Sequence, residues 1–205
     1  MATVITTPAD VVNLALASIG HKDRIGSIYE GSFAAKQALD IYSQTRDEMM
    51  RTVDYGFSER NVTLTLLKQA PAGGYFPPNA WDGTLNPPPP WVFSYAYPSD
   101  TLKVRSIKGI PLFVQNFDPQ PNVFAVENDQ YYTPARKVIL CNVASAMLVY
   151  TAQVTDPTTW EADFTEAFAA ELGRRLAPTL ANMDAAKFAA AAAAQATANA
   201  ERTEG

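Results

Sequence analysis

The sequence predicts an α+β fold with helices at both ends of the chain and a β-rich middle between them. Three observations carry this. Apolar residues recur at helical spacing over 8–19 and 32–53, alternate at strand spacing between 60 and 154, and return to helical spacing over 160–176. At 205 residues and 47 % apolar content, the chain can bury one sizeable domain, or one domain with a large insertion.

Thr7-Pro8-Ala9-Asp10 opens the first helix with a capping hydroxyl, a proline whose missing N–H is not needed there, and an acid in the first turn. Val11, Val12, Leu14, Ala15, Leu16 and Ile19 supply its apolar face, and Gly20 is placed to stop it. Ser32 begins a longer helix. Phe33, Ala35, Ala38, Leu39, Tyr42, Met49 and Val53 line its dry side, and Lys36, Asp40, Arg46, Asp47 and Arg51 its wet side.

Val62, Leu64 and Leu66 then alternate with Thr63, Thr65 and Leu67, as one strand would. Pro71–Pro90 holds seven prolines and three glycines, so it reads as an irregular excursion. Trp91, Phe93 and Tyr95 fall on one strand face, Tyr97–Asp100 makes a turn, and Leu102, Val104 and Ile107 continue into another strand. Pro111–Ala135 reads as one or two short strands joined by polar loops. Val138–Cys141 and Met147–Val154 are apolar enough to be central strands.

The next helix starts at Asp156-Pro157, cap and first position, and carries Trp160, Phe164, Phe168, Leu172 and Leu176. A stripe stepping by four residues drifts by about 40° per step, or roughly 160° over its length, on a helix of 3.6 residues per turn. A helix with so wide a stripe packs against more than one surface. Beyond Pro178, Asp184 can cap an alanine-rich helix from Ala185 to about Ala200 whose one large apolar side chain is Phe188. Alanine favours helix but buries little area, so this segment needs a partner or it frays as a tail.

Composition narrows the function. A net charge of −5 argues against wrapping nucleic acid, although an acidic wall suits DNA that must pass without sticking. Cys141 is the single cysteine, so no internal disulfide is possible. No signal peptide and no membrane span are expected: the N-terminus lacks a basic region, and the apolar run at 138–152 is too short. His21, the single histidine, sits among charged loop residues, which suits neither a catalytic triad nor a histidine metal cluster. Asp47/Glu48, Asp54/Glu59 and Glu161/Asp163 read as solvated helix faces or ends. Gly73-Gly74 and Gly109 lack the following Gly-Lys-Ser/Thr of a phosphate loop. No catalytic residue, cofactor or metal is therefore expected.

Tyr75, Phe76, Trp81 and Trp91 in and beside the proline-rich excursion allow a sugar platform or a protein contact, or simply pin the loop to its own sheet.

Four segments, in order and spacing, resemble the head-to-tail adaptor (connector) family of tailed phages, the family of podovirus tail tubular protein A. The first runs from Val12-Asn13-Leu14-Ala15-Leu16 through Ile19-Gly20, Ile25, Ile28 and Glu30-Gly31-Ser32. The second is Ala38–Met50, with Tyr42 and Arg46-Asp47-Glu48-Met49-Met50. The third is Tyr95–Val104, and the fourth runs from Tyr150 to Asp156, then Trp160, Phe164 and Leu172 to Pro178. The excursion 71–90 and the alanine-rich end depart from the family pattern.

The resemblance implies an antiparallel helical bundle formed by both chain ends, residues 1–58 and 156–205, with an antiparallel β-sheet region, 59–155, inserted between them. Leu14, Leu16, Tyr42, Met49, Trp160, Phe164 and Phe168 would fill the bundle core. It also implies a structural virion protein with no enzymatic activity. A ring of about twelve copies would join the portal to the tail or nozzle, with genomic DNA passing through its lumen. The ring would assemble in the host cytoplasm and involve no membrane. The end of the chain would reach the portal, through Arg174, Arg175, Ala185, Phe188, Ala192 and Gln195. Tyr75, Phe76, Trp81, Trp91, Phe113 and Phe117 would make subunit or tail contacts. The runner-up is a ligand- or glycan-binding β module using Tyr75, Trp81 and Trp91. An acid-catalysed hydrolase is the third reading.

Overall fold

The computed structural model describes residues 5–75, 80–111, 124–180 and 183–204, without the side chains of 110–111, 183–190 and 203–204. The chain divides into two compact units, residues 1–59 with 153–205, and residues 60–152.

The first unit holds α1 (Pro8–Ser18), α2 (Phe33–Thr52), α3 (Ala162–Leu180) and α4 (Met183–Glu204). Local chemistry sets their ends. Thr7 and Asp10 form a reciprocal capping box at the start of α1: the Asp10 backbone N–H donates to the Thr7 hydroxyl (3.3 Å) and the Thr7 N–H to the Asp10 carboxylate (2.8 Å). Gly20, at φ +72°, lets α1 close with His21 N–H on the Leu16 carbonyl and Gly20 N–H on that of Ala17. The Asn13 side chain both donates to and accepts from the Ile25 backbone at 2.9 Å, and so ties the following loop back to α1. The Glu30 carboxylate gathers the Ser32 hydroxyl and the N–H groups of Gly26 and Ser27, which hold its pKa below the ordinary value. Pro157–Thr159 forms a separate 3-10 turn capped by Asp156, so α3 starts later than Pro157.

The core of this unit is aromatic. Phe164 and Phe168, fully buried, meet Trp160 edge-on at 5.2 and 5.5 Å; Tyr42 meets Phe168 at 5.1 Å, and Tyr55 meets Phe164 at 4.9 Å. The Trp160 indole N–H donates to the Val154 carbonyl (3.1 Å). α1 reaches α3 closely because Gly173 has no side chain. A Cβ there would lie 2.5 Å from Ser18 Oγ and 2.9 Å from the Ala15 carbonyl oxygen.

These helices do not form the antiparallel bundle expected from both chain ends. Among the described residues, the fold consists of four helices and two antiparallel sheets with seven strands between them, and sheet makes up a large part of it. α1, α2 and α4 each pack on α3, which acts as a hub; α1 and α2 share no substantial packing with one another. A bundle needs every helix to give a stripe to two neighbours, and α1 and α2 do not. Leu14, placed in the expected core, is 36 % exposed, and Phe33 and Leu39 are exposed on α2. Arg46, expected on the wet side, is buried and paired with Asp47 at 2.7 Å. The wide stripe of α3 is answered by three helices of its own chain.

The second unit replaces the single inserted sheet with two. One has the order β1 (Glu59–Thr63), β7 (Val143–Ala152), β4 (Thr101–Pro111). The other has the order β2 (Leu66–Gln69), β3 (Phe93–Ala96), β6 (Arg136–Cys141), β5 (Phe124–Asp129). The chain changes sheet at Leu64–Thr65, at Tyr97–Asp100, between Pro111 and Phe124, and at Asn142. The apparent single strand around Leu64 is thus two strands in two sheets. Leu64, Phe93, Tyr95, Ile107, Ile139, Cys141, Leu148 and Tyr150 form the shared core of the two sheets.

Candidate functional site

Lys68, Ser94, Leu140 and Ala125 stand in one row across the second sheet, and Val138 pairs with Glu127 in the next. Side chains alternate along strands, so Val138 and Leu140 point away from the shared core that takes Ile139 and Cys141. Both are nonetheless buried, because part of the proline-rich excursion lies over them. The excursion covers a sheet face.

Single side chains hold this cover in place. Lys68, 6 % exposed, donates its ammonium to the Gly83 carbonyl (2.7 Å) and to the Asp129 carboxylate. The same ammonium faces the rings of Tyr131 and Tyr132 at 5.3 and 4.9 Å. A Cβ at Gly83 would lie 2.2 Å from the Tyr131 ring, so a larger residue there would push that ring aside. Asn86 donates to the Gln69 carbonyl (3.0 Å). The Tyr75 hydroxyl and the Trp81 indole N–H converge on the Pro87 carbonyl, the latter at 3.0 Å, and burial pushes the Tyr75 phenol up to about 12.

Cover and sheet leave a cleft of about 160 Å3, with Val138 and Leu140 at its floor and Trp81, Tyr131 and Glu127 along its sides. Trp81 and Tyr131 stand perpendicular, 6.2 Å apart, each nearly half exposed. Small-molecule clefts run from roughly 300 Å3 upward, so this one has room for a single ring or side-chain terminus.

Among the described aromatics expected at a subunit, tail or glycan contact, Trp81 alone lines the cleft. Tyr75 turns its hydroxyl inward, and Trp91 is half-buried with its backbone N–H on the Pro88 carbonyl. Phe76, Phe113 and Phe117 lie outside the described residues. Sequence reasoning missed Lys68, Glu127 and Tyr131. The signal was a lysine inside an apolar strand together with the run Asp129 to Tyr132.

The residues expected at the portal divide into three groups. Arg174 makes two 2.7 Å hydrogen bonds to Glu171, and Arg175 bridges Glu171 (2.7 Å) and Glu48 of α2 (2.9 Å). Burial pushes the Glu171 carboxyl up, and the two guanidiniums more than offset this, leaving it below the ordinary glutamate value. Arg175 thus braces α2 to α3, while Arg174 pairs within α3. Ala192 and Gln195 lie on the exposed face of α4, opposite Ala193 and Ala200, which are 2 % and 1 % exposed. Ala185 and Phe188 belong to α4, and their side chains are outside the described set. The expectation that α4 must find its partner outside the fold is corrected: α4 packs on α3.

Burial raises the Cys141 thiol pKa and places it deep in the sheet core, which disfavours the nucleophilic thiolate. Asp47 takes Arg46 and Gln153, so the Asp47/Glu48 pair serves internal contacts. Among the described residues, no group of three or more His, Cys, Asp or Glu side chains could hold a metal ion. Nor is any described helix long and apolar enough to cross a membrane. No model of a known protein family matches this chain, and no curated protein matches its sequence.

Proposed function

We propose that this protein is a structural virion component, a head-to-tail adaptor whose copies form a ring of about twelve between portal and tail. The observation that carries this reading is the order and spacing of the four segments that resemble the adaptor family. Those segments also fix the chain path here. The first contains the Gly20 stop, the Asn13 tie and the Glu30 turn. The second supplies Tyr42 to the aromatic core, the third holds the Tyr97–Asp100 sheet switch, and the fourth carries Trp160, Phe164 and the α3 hub.

The net charge of −5 suits a conduit that lets DNA slide, because phosphate contacts would retain it. In this reading the portal meets the exposed face of α4, at Ala192 and Gln195. The small side chain of Ala192 allows close helix approach at little entropic cost, and the Gln195 amide offers a hydrogen bond. The test is a photo-crosslinking amino acid at Ala192, Gln195 or, as control, buried Ala200, mixed with the portal protein of the same phage. Crosslinks to portal from the first two positions and not the third are expected. No portal crosslink from Ala192 or Gln195 would contradict the assignment.

A further inference from the structure

The cleft in the second unit has a chemical character that the adaptor reading does not use. Lys68 and Asp129 neutralise one another at its inner end. Glu127 lines its side, is exposed, and has no hydrogen-bond or ion-pair partner among the described residues. The cleft therefore carries one uncompensated negative charge. Beside it stand the partly exposed rings of Trp81 and Tyr131, at right angles to one another, above the aliphatic floor of Val138 and Leu140.

Aromatic faces attract cations, tryptophan most strongly, and a guanidinium more often than an ammonium is the cation found there. This sheet already uses that attraction internally. The Arg136 guanidinium lies over Tyr132 at 4.9 Å and the Lys137 ammonium over Tyr97 at 4.3 Å. A volume near 160 Å3 holds the end of one long side chain but no extended ligand. An apolar floor suits a methylene stem, and one carboxylate suits one charge. A sugar ring would also stack on an exposed aromatic face, and its hydroxyls would donate to the carboxylate, but a neutral sugar leaves the negative charge uncompensated. The charge favours the cation.

We propose that this cleft receives a single basic side chain, arginine in preference to lysine, presented by a partner protein. The guanidinium would stack in the corner of Trp81 and Tyr131 and pair with Glu127. The proposal stands independently of ring formation, and it can be tested on the isolated full chain.

The probe is acetyl-argininamide, titrated against protein carrying 5-fluorotryptophan, with the three tryptophan resonances followed by fluorine NMR. The Trp81 signal is expected to shift saturably while those of Trp91 and Trp160 stay in place. Acetyl-lysinamide should act more weakly, and the uncharged isostere acetyl-citrullinamide should produce no saturable shift. E127Q should weaken the response roughly twofold to fivefold, as for an exposed charge pair, and E127K should abolish it. Because Glu127 is exposed on an edge strand, both variants are expected to fold, which unchanged Trp160 and Trp91 resonances would report. Equal response to arginine and citrulline amides would overturn the proposal, as would no response at Trp81. A saturable shift with methyl glycosides and none with argininamide would overturn it in favour of a sugar site.

Discussion

Phe164 is the residue on which the first unit turns. It is fully buried and in ring contact with Tyr55, Phe57, Trp160 and Phe168, so truncation removes one wall of the whole aromatic cluster. Phe164→Ala is expected to cost about 3–5 kcal/mol in denaturant unfolding. A loss below about 1 kcal/mol would contradict that placement. The burial of Phe164, Phe168, Leu172 and Leu176 was legible because large apolar residues at a four-residue step leave few other positions for a core. Leu14, Phe33 and Leu39 read the same way and proved exposed. Helical spacing says which residues share a face, but not whether a neighbour comes to cover it. Arg46 was illegible for the converse reason. Its burial depends on Asp47, whose other oxygen takes the Gln153 amide from the far end of the sequence.

At the scale of elements, caps were the most readable features. Thr7, Asp10, Gly20 and Ser32 act within a few residues of themselves, so nothing distant overrides them, whereas Asp156 caps the short Pro157–Thr159 turn instead of α3. Sheet membership was not readable. Leu64–Thr65 and Asn142 interrupt otherwise continuous strand patterns, and hydrophobic alternation carries no mark of a change of sheet. The run Val138 to Cys141 announced a strand buried on both faces, yet what covers the second face is a loop whose prolines suggested irregularity alone. α4 is the element whose role changes most. Its alanines gave no reason to expect internal packing, but Ala193 and Ala200 are buried where α4 lies along α3. Ending the chain before Asp184 should therefore lower the melting temperature, by about 2–4 °C for each kcal/mol lost in a protein of this size. It should also remove portal binding. An unchanged melting temperature, read by calorimetry, would show that α4 is not packed on α3.

For the whole molecule, the account joins two inferences of different kinds. The folded chain supplies a helical hub with an exposed alanine face and, in a separate unit, a two-sheet core with a small cation-seeking cleft. The proposed assembly rests on the sequence resemblance. Arg174 pairs with Glu171, and Arg175 with Glu171 and Glu48; in the proposed assembly the exposed face of α4 is the surface offered to the portal. The cleft offers a second, chemically distinct contact, and a basic residue on another protein would use it. The central claim is that copies of this chain assemble on a portal, and the mass of the purified protein measured alone and with that portal tests it most directly. The account predicts that portal particles gain about twelve copies of a 22.3 kDa chain. Portal particles of unchanged mass, with the added protein remaining at the mass of one chain, would contradict it.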